Sequence, residues 1–287
     1  MNFNDKFSEY REFINKSIDN LFAEYDDDTV CKDILEAAKY AVNNGGKRIR
    51  PILCIVAAEA LGIKKDNVLN FALAIELIHS YSLVHDDLPA MDNDDFRRGK
   101  LATHKKFGEA MGILAGDALL NLAAETVLTS IDNESKEAAA FIFKCSGMKG
   151  MIAGQVYDLQ SEKCPEFSEN FLYKISRNKT SALLTAPLVV PAMLSGEYVS
   201  EFKSLGEKIG ILFQITDDIF DETGEFTVIG KTPHKDGNKV TAISVFGLDG
   251  AKEKARELYS ECKKILSVIP NSEFLSQIVD YVYTRKN

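Results

Sequence analysis

Two aspartate clusters close long apolar runs in this 287-residue chain, Asp86-Asp87-Leu88-Pro89-Ala90-Met91-Asp92 and Asp217-Asp218-Ile219-Phe220-Asp221. At an effective dielectric near 20 and a separation of about 6 Å, each neighbouring carboxylate pair costs roughly 3 kcal/mol, so three in a half-buried wall need a counter-charge. Aspartate oxygens are the hard ligands that magnesium takes, and magnesium completes its shell with water and phosphate oxygens. Two such patches point to a clamp around a diphosphate.

The runs that carry these clusters set the expected fold. Asn70 to Leu88 is apolar on nearly every face with no Gly or Pro before Pro89, which reads as a helix buried all round. Gly206 to Glu222 reads the same way, and Ser181 to Leu194 is as apolar, although Pro187 and Pro191 are expected to kink or break it. Period-2 alternation of useful length is absent. Only Thr227 to Ile229 resembles strand, and between Gly224 and Gly230 it reads better as loop. The remaining Gly and Pro punctuation leaves room for about ten helices. The expectation is one all-α domain over residues 1–287, its helices around a common core.

Composition narrows the partners. A net charge of −9 disfavours nucleic acid, because backbone-phosphate binding needs a spread of unpaired Lys and Arg. Any phosphate site must then be locally basic. The cysteines Cys31, Cys54, Cys145, Cys164 and Cys262 form no CxxC pair and no signal-like amino terminus is seen, so a reducing cytoplasm is expected. No apolar run approaches the roughly 20 residues of a bilayer span, so no stable membrane insertion is expected. The acidic run Ala23 to Asp28 lies in a polar region and reads as surface or N-cap.

Helical spacing sorts the chemistry. Asp217 and Asp221, at i and i+4, share a face with Cβ atoms about 5–6 Å apart, and Gln214 is expected to join them. Asp86 and Asp92 are about 240° apart on a continuous helix and could not share a metal there. Pro89 resolves this, since the residue before proline avoids the α region; the helix should end near Leu88 and fold Asp92 back in a turn. His79 lies within about 20° of Asp86 on the wheel and is expected to face the same way, while His85 reads as packed or capping. Four histidines without HExxH or Cys/His spacing argue against zinc.

Basic residues stand where phosphate needs them. Gly45-Gly46-Lys47-Arg48-Ile49-Arg50-Pro51 sets three cations beside a diglycine and ahead of a proline-started helix, without the GxxxxGK pattern of a nucleotide loop. Arg97-Arg98 follows the first aspartate cluster, and Arg grips phosphate oxygens bidentately. Lys179-Thr180, Lys231 and Lys239 are further candidates.

In this order GGKRIRP, IHSYSLVHDDLPAMDNDDFRRG, GQVYDL, NKT and QITDDIFD resemble the motifs of the short-chain trans-polyprenyl diphosphate synthases, nearest the bacterial farnesyl diphosphate synthase branch, over most of the chain. The resemblance implies the isoprenoid synthase fold around a hydrophobic cavity, in a cytoplasmic homodimer. Lys47, Arg50, His79 and Arg98 would bind isopentenyl diphosphate. Asp86, Asp92 and Asp217 would ligate about three magnesium ions on the allylic diphosphate, with Asp87, Asp218 and Asp221 in direct or supporting roles. Arg97, Lys179, Lys231 and Lys239 would hold the allylic diphosphate, and Thr180 and Gln214 would line the developing carbocation. The implied chemistry is ionisation, condensation and elimination, with no protein nucleophile.

Chain length should be set below the aspartates. Tyr81 lies about 7.5 Å along the helix before Asp86 and forms the expected floor; Ser82 is too small to block. In the family such an aromatic, combined with the longer DDxxxxD spacing, goes with a farnesyl (C15) product, and a small or flexible residue there with geranylgeranyl (C20). The chain departs from the family where VTAISVFG after Lys239 replaces a Thr-Tyr-Pro sequence, so closure over the site is expected to differ, and where Ser181 replaces a glycine and Ser176 a histidine; none of these removes a charge-bearing residue, and activity is expected to survive. A class I terpene cyclase would carry an Asn/Ser/Glu motif in place of DDIFD, and a silent regulatory subunit would lose aspartates that this chain keeps.

Overall fold

The computed structural model describes residues 2–129, 135–163, 168–223 and 239–284, and apart from one small ribbon its regular structure is helical. By its own contacts the chain sorts into Met1–Ile52 with Asp66–Ile131, and Leu53–Lys65 with Asp132–Asn287.

The first unit holds α1 (Phe3–Ala23), α2 (Lys32–Asn43), the start of α3 (Ile49–Ala60), α4 (Leu69–Asp86), the ribbon β1 (Phe96–Arg97) and β2 (Lys100–Leu101), α5 (Thr103–Phe107) and α6 (Glu109–Leu128). Asn2 caps α1 by accepting from the Asp5 N–H at 2.9 Å. The acidic run after α1 has surface duty: Asp27 accepts from Thr29 and Asp26 pairs with Lys32 at 3.0 Å. Helix α4 is buried all round, as its sequence requires, with Phe71, Leu73, Ile75, Leu77 and Ile78 inside at about 2 kcal/mol each. The acid within it, Glu76, is 2% exposed and takes Arg48 Nη1 at 2.8 Å. Arg48 also donates to Asn15 Oδ1 at 2.9 Å and to the Val42 carbonyl at 2.8 Å, so one guanidinium joins α1, the end of α2 and α4. Removing one partner of such a buried pair costs about 3–5 kcal/mol.

Two helices correct the expectation about bilayer-length segments: Lys65–Asp86 and Glu109–Leu128 are long and apolar enough to cross a membrane. Each carries a few polar residues that interrupt its apolar pattern in the sequence. In α4 the burial of that stretch and the Glu76–Arg48 pair make it a core helix. Helix α6 leaves Ile113, Leu114 and Leu128 exposed.

The second unit holds the rest of α3, then α7 (Lys136–Ser146), α8 (Met151–Lys163), α9 (Glu169–Ser176), a π turn (Arg177–Ser181), α10 (Ala182–Ser195), α11 (Val199–Thr223), α12 (Ala242–Leu266) and α13 (Glu273–Thr284). Pro187 and Pro191 do not break α10, contrary to expectation. Every side chain from Leu183 to Ala192 is buried, and this packing outweighs the two lost N–H donors. Helix α11 also differs from the reading: it starts at Val199, and Lys203 and Glu207 give it an exposed face opposite the buried Phe202, Leu205, Ile209 and Leu212.

What brings α11 close is the absence of side chains at Gly206 and Gly210. A Cβ on Gly206 would stand 2.6 Å from Thr185 Cα, and one on Gly210 2.3 Å from Ser181 Cα. Both contacts are to backbone, which cannot swing aside. Gly210→Ala is therefore expected to destabilise by about 3 kcal/mol, at the upper end for overpacking. Urea unfolding measures this, and an unchanged midpoint would show that the helices move apart freely.

Candidate active site

In the first unit the end of α4 follows from Pro89, which offers no N–H. The helix stops at Asp86, and the chain turns through Met91 N–H to Leu88 O (2.9 Å) and Asn93 N–H to Leu88 O (3.1 Å). Asp92 then donates its N–H to the carbonyl of Asp86 at 2.8 Å, which is the folding-back expected from the spacing. Asp86 and Asp92 are half-buried on this turn. Asp87 points elsewhere. It is 2% exposed and receives Arg97 Nε at 2.9 and 3.3 Å, with Nη2 closing a second bond to Oδ1. Burial works against the charge on Arg97, yet the bond and charge of Asp87, with Asp94 and Asp86, leave its pKa raised.

Arg97 owes its place to the ribbon, which the sequence reading did not foresee. Phe96 pairs with Leu101 and Arg97 with Lys100, so Arg98 and Gly99 form a two-residue turn with φ of +55° and +77°. Such turns need left-handed residues at both places, and an Arg there stores about 1–3 kcal/mol of strain. The strain aims Arg98 at the diglycine, where Nη1 donates to the Gly45 carbonyl. Its guanidinium lies so flat on Gly46 that a Cβ there would stand 2.5 Å from Nη1.

Arg50, in the first turn of α3 just before Pro51, has a buried Nε that no acceptor among the described residues meets. Burial, with Arg98 adding to it against the pull of Glu76, lowers its pKa to about 10. His79 is held well below its ordinary range by burial first, then by Arg50, Arg98, Arg97 and Arg48. Lys47 is half-buried on the same segment. The structure thus brings Arg50, His79 and Arg98 into one electrostatic neighbourhood, a basic wall short of anions. Tyr81 is 6% exposed with its ring edge-on to His85 at 5.8 Å, and Ser82 donates to the His79 carbonyl at 2.9 Å.

The second unit gathers the other predicted residues. Lys179 and Thr180 lie on the π turn, a form that appears mostly where function requires it. Lys179 pairs with Asp158 of α8. Thr180 Oγ1 donates to Gln214 Oε1 at 3.0 Å, Gln214 Nε2 donates to Asp218 Oδ1 at 2.9 Å, and the Ala242 N–H donates to Asp218 Oδ2 at 2.6 Å. The amide of Gln214 therefore reaches Asp218, not the Asp217 and Asp221 face expected from the wheel. Burial pushes Asp218 up to about 7 against these two hydrogen bonds, with Asp217 and Asp221 adding to the rise. Asp217 is half-buried, and Asp221, one turn on, is exposed. Lys239 is half-buried just before α12, whereas Lys231 and the segment Thr227 to Ile229 lie outside the described residues.

The departures from the family pattern have local consequences. Thr241 caps α12 in a reciprocal box with Ser244, so this chain starts a helix where Thr-Tyr-Pro was expected. Ser176 and Ser181 keep buried hydroxyls that meet no partner among the described residues. Sequence reasoning missed Asp158, although GQVYDL was recognised as a motif, because nothing in the spacing tells that it meets a lysine 21 residues later. It also missed Arg48 as the partner of Glu76, for which a lone acid in an apolar helix was the available signal.

Among the described residues no three His, Cys, Asp or Glu side chains form a ready-made metal cage. The carboxylates present still suit magnesium, which is bound through one or two of them plus substrate phosphates and water.

Comparison with known proteins follows the same residues. A family model described as polyprenyl synthetase matches residues 31–271. The farnesyl diphosphate synthase of Micrococcus luteus is 37% identical, over 98% of each chain. A chloroplastic geranylgeranyl pyrophosphate synthase of Catharanthus roseus is 40% identical over 88% of this chain and 74% of its own. The crystal structure of a geranyltransferase from Helicobacter pylori, complexed with magnesium and isoprenyl diphosphate, superposes with a TM-score of 0.83 at 30% identity, over 96% of this chain and 97% of that one.

The basic wall carries its own test. With a lowered pKa, His79 contributes stability that is complete above its ordinary value of 6.5 and is lost as pH falls through the lowered one. In substrate-free protein its ring resonances should stay flat between about pH 6 and 8, as seen by NMR. A midpoint near 6.5 would remove the arginines from its surroundings.

Proposed function

The chain belongs to the polyprenyl synthetase family and is a trans-prenyltransferase, and we propose that it condenses isopentenyl diphosphate head to tail (1'-4) with dimethylallyl and then geranyl diphosphate, giving (2E,6E)-farnesyl diphosphate. Tyr81 carries the C15 reading. Its phenol is buried and neutral, with burial first and Asp86 second pushing the pKa to about 12, and the edge contact to His85 fixes the ring. A rigid aromatic five residues before Asp86 supports a floor at three isoprene units, and Ser82 adds no bulk. The geranylgeranyl reading is favoured by the Catharanthus relative, and product length separates the two.

In this proposal Lys47, Arg50, His79 and Arg98 hold the diphosphate of isopentenyl diphosphate, and the unmet Nε of Arg50 supports that role. Neutral His79 offers one N–H donor without adding charge. Asp86, Asp92 and Asp217 would hold magnesium, about three ions, on the allylic diphosphate, while Asp87 serves by fixing Arg97. Asp221 supports the second cluster. Bound magnesium would supply Lewis-acid stabilisation of the departing diphosphate. Arg97, Lys179, Lys231 and Lys239 add positive charge to the same leaving group. The C1–O bond of the allylic diphosphate breaks, the double bond of isopentenyl diphosphate attacks C1, and the released diphosphate takes the C2 proton. Thr180 and Gln214 present oxygen dipoles to the transient cation. Such a cation requires that water be kept away. We further infer a single catalytic domain in a cytoplasmic homodimer that binds neither nucleic acid nor membrane. The scattered cysteines and the net charge of −9 support the compartment and the absence of nucleic acid, and the exposed Ile113 and Leu114 support a partner copy.

Purified protein given dimethylallyl diphosphate, labelled isopentenyl diphosphate and magnesium should make mainly C15 diphosphate by mass spectrometry. A C20 main product would transfer the assignment to the geranylgeranyl reading. Tyr81→Ala should lengthen the product, and an unchanged length would place the floor elsewhere. EDTA should abolish turnover; activity persisting in metal-free buffer would reject magnesium.

A further inference from the structure

In the second aspartate cluster the carboxylate of Asp218 is held at both of its oxygens. Both oxygens of Asp218 receive N–H donors from their own unit, Gln214 Nε2 at 2.9 Å and the Ala242 backbone at 2.6 Å. The backbone donor is unambiguous, since a peptide N–H cannot turn into an acceptor. The carboxamide of Gln214 presents its NH2 to Asp218 and its carbonyl to Thr180. The Thr180 hydroxyl, at 3.0 Å, must then be the donor, which leaves its lone pairs directed away from Gln214. One carboxylate thus fixes the polarity of three successive groups. Ala242 is the first residue of α12, so the same carboxylate ties that helix, three residues beyond Lys239, to α11.

We propose that Asp218 is a positioning residue: it acts through Gln214 to orient the Thr180 oxygen toward the allylic cation, and through Ala242 to seat the segment that carries Lys239, rather than through the metal ions. This rests on the prenyltransferase reading above. A side chain serving the metals would change the magnesium dependence. One serving the hydrogen-bond chain would change the rate at saturating substrate and metal, because the interaction matters most where charge develops.

Asp218→Asn tests this. Its carbonyl oxygen keeps the Ala242 N–H and its NH2 faces Gln214, whose amide must then turn over and reverse its polarity toward Thr180, while volume is kept. We expect kcat to fall about tenfold to a hundredfold, with KM for both diphosphates and the half-saturating magnesium concentration within about twofold of wild type. In a Thr180→Val background the same substitution should add less than about twofold, since the chain is already cut. Gln214→Leu, which leaves Asp218 and Ala242 paired, should match the kcat loss and covers the case in which Asp218→Asn fails to fold. A rise of about tenfold or more in half-saturating magnesium, with kcat restored at saturation, overturns the proposal.

A second readout does not depend on turnover. The side-chain amide protons of Gln214 in substrate-free protein should exchange at least about tenfold faster in Asp218→Asn than in wild type. Equal exchange would overturn the hydrogen-bond chain. If wild type makes no prenyl diphosphate at all, the functional reading fails while this exchange measurement still judges the chain.

Discussion

Helix α11 runs so close to the π turn and α10 that no carbon atom fits on Gly206 or Gly210, and the polar chemistry of the second unit depends on that approach. The face that begins with those two glycines continues at four-residue steps through Gln214 and Asp218. Backbone contact at its first half delivers side chains at its second half onto Thr180 and the start of α12. A bulkier interface would hold the same residues, in the same order, a few ångströms from any partner. Precision here comes from removing side chains, and the hydrogen bonds then form at 2.6 to 3.0 Å without reaching.

The first unit solves a different problem, that of gathering like charges. Arg48, Arg50, Arg97 and Arg98 all weigh on His79, and each is held by a distinct means. Arg48 is neutralised by Glu76 in the core, and Arg97 is gripped by Asp87. Arg98 is fixed through a strained turn and a glycine carbonyl, whereas Arg50 stays in the first turn of its helix with an unmet Nε. Arg48 builds the scaffold, and Asp87 sets Arg97 in place alongside Arg50 and Arg98. This division answers the high cost of desolvating several cations together.

The parts legible in the sequence are those where a local rule acts alone. Pro89 foretold the end of α4 and the return of Asp92, because a missing N–H acts whatever surrounds it. The apolar wheel of α4 foretold burial on every face. The same rule misjudged Pro187 and Pro191, where packing around α10 overrides two absent donors. The ribbon at Phe96 was invisible because two-residue strands carry no period, and the π turn because its register is imposed by its neighbours. Gln214 was placed from wheel angles with Asp217 and Asp221, yet an amide at the i position reaches i+4 just as well, and Asp218 was the acceptor whose other oxygen Ala242 had fixed. Pairings such as Lys179 with Asp158 depend on which helices become neighbours, and no spacing rule supplies that.

The turn that returns Asp92 is closed by the carbonyl of Asp86 itself, at 2.8 Å, so the count of residues between the two acids is part of the fold. Pro89 and Ala90 stand exposed on its outer side and do little beyond occupying length. An extra residue would swing the later carboxylate off its bearing, while a different side chain at Ala90 would leave that bearing as it is.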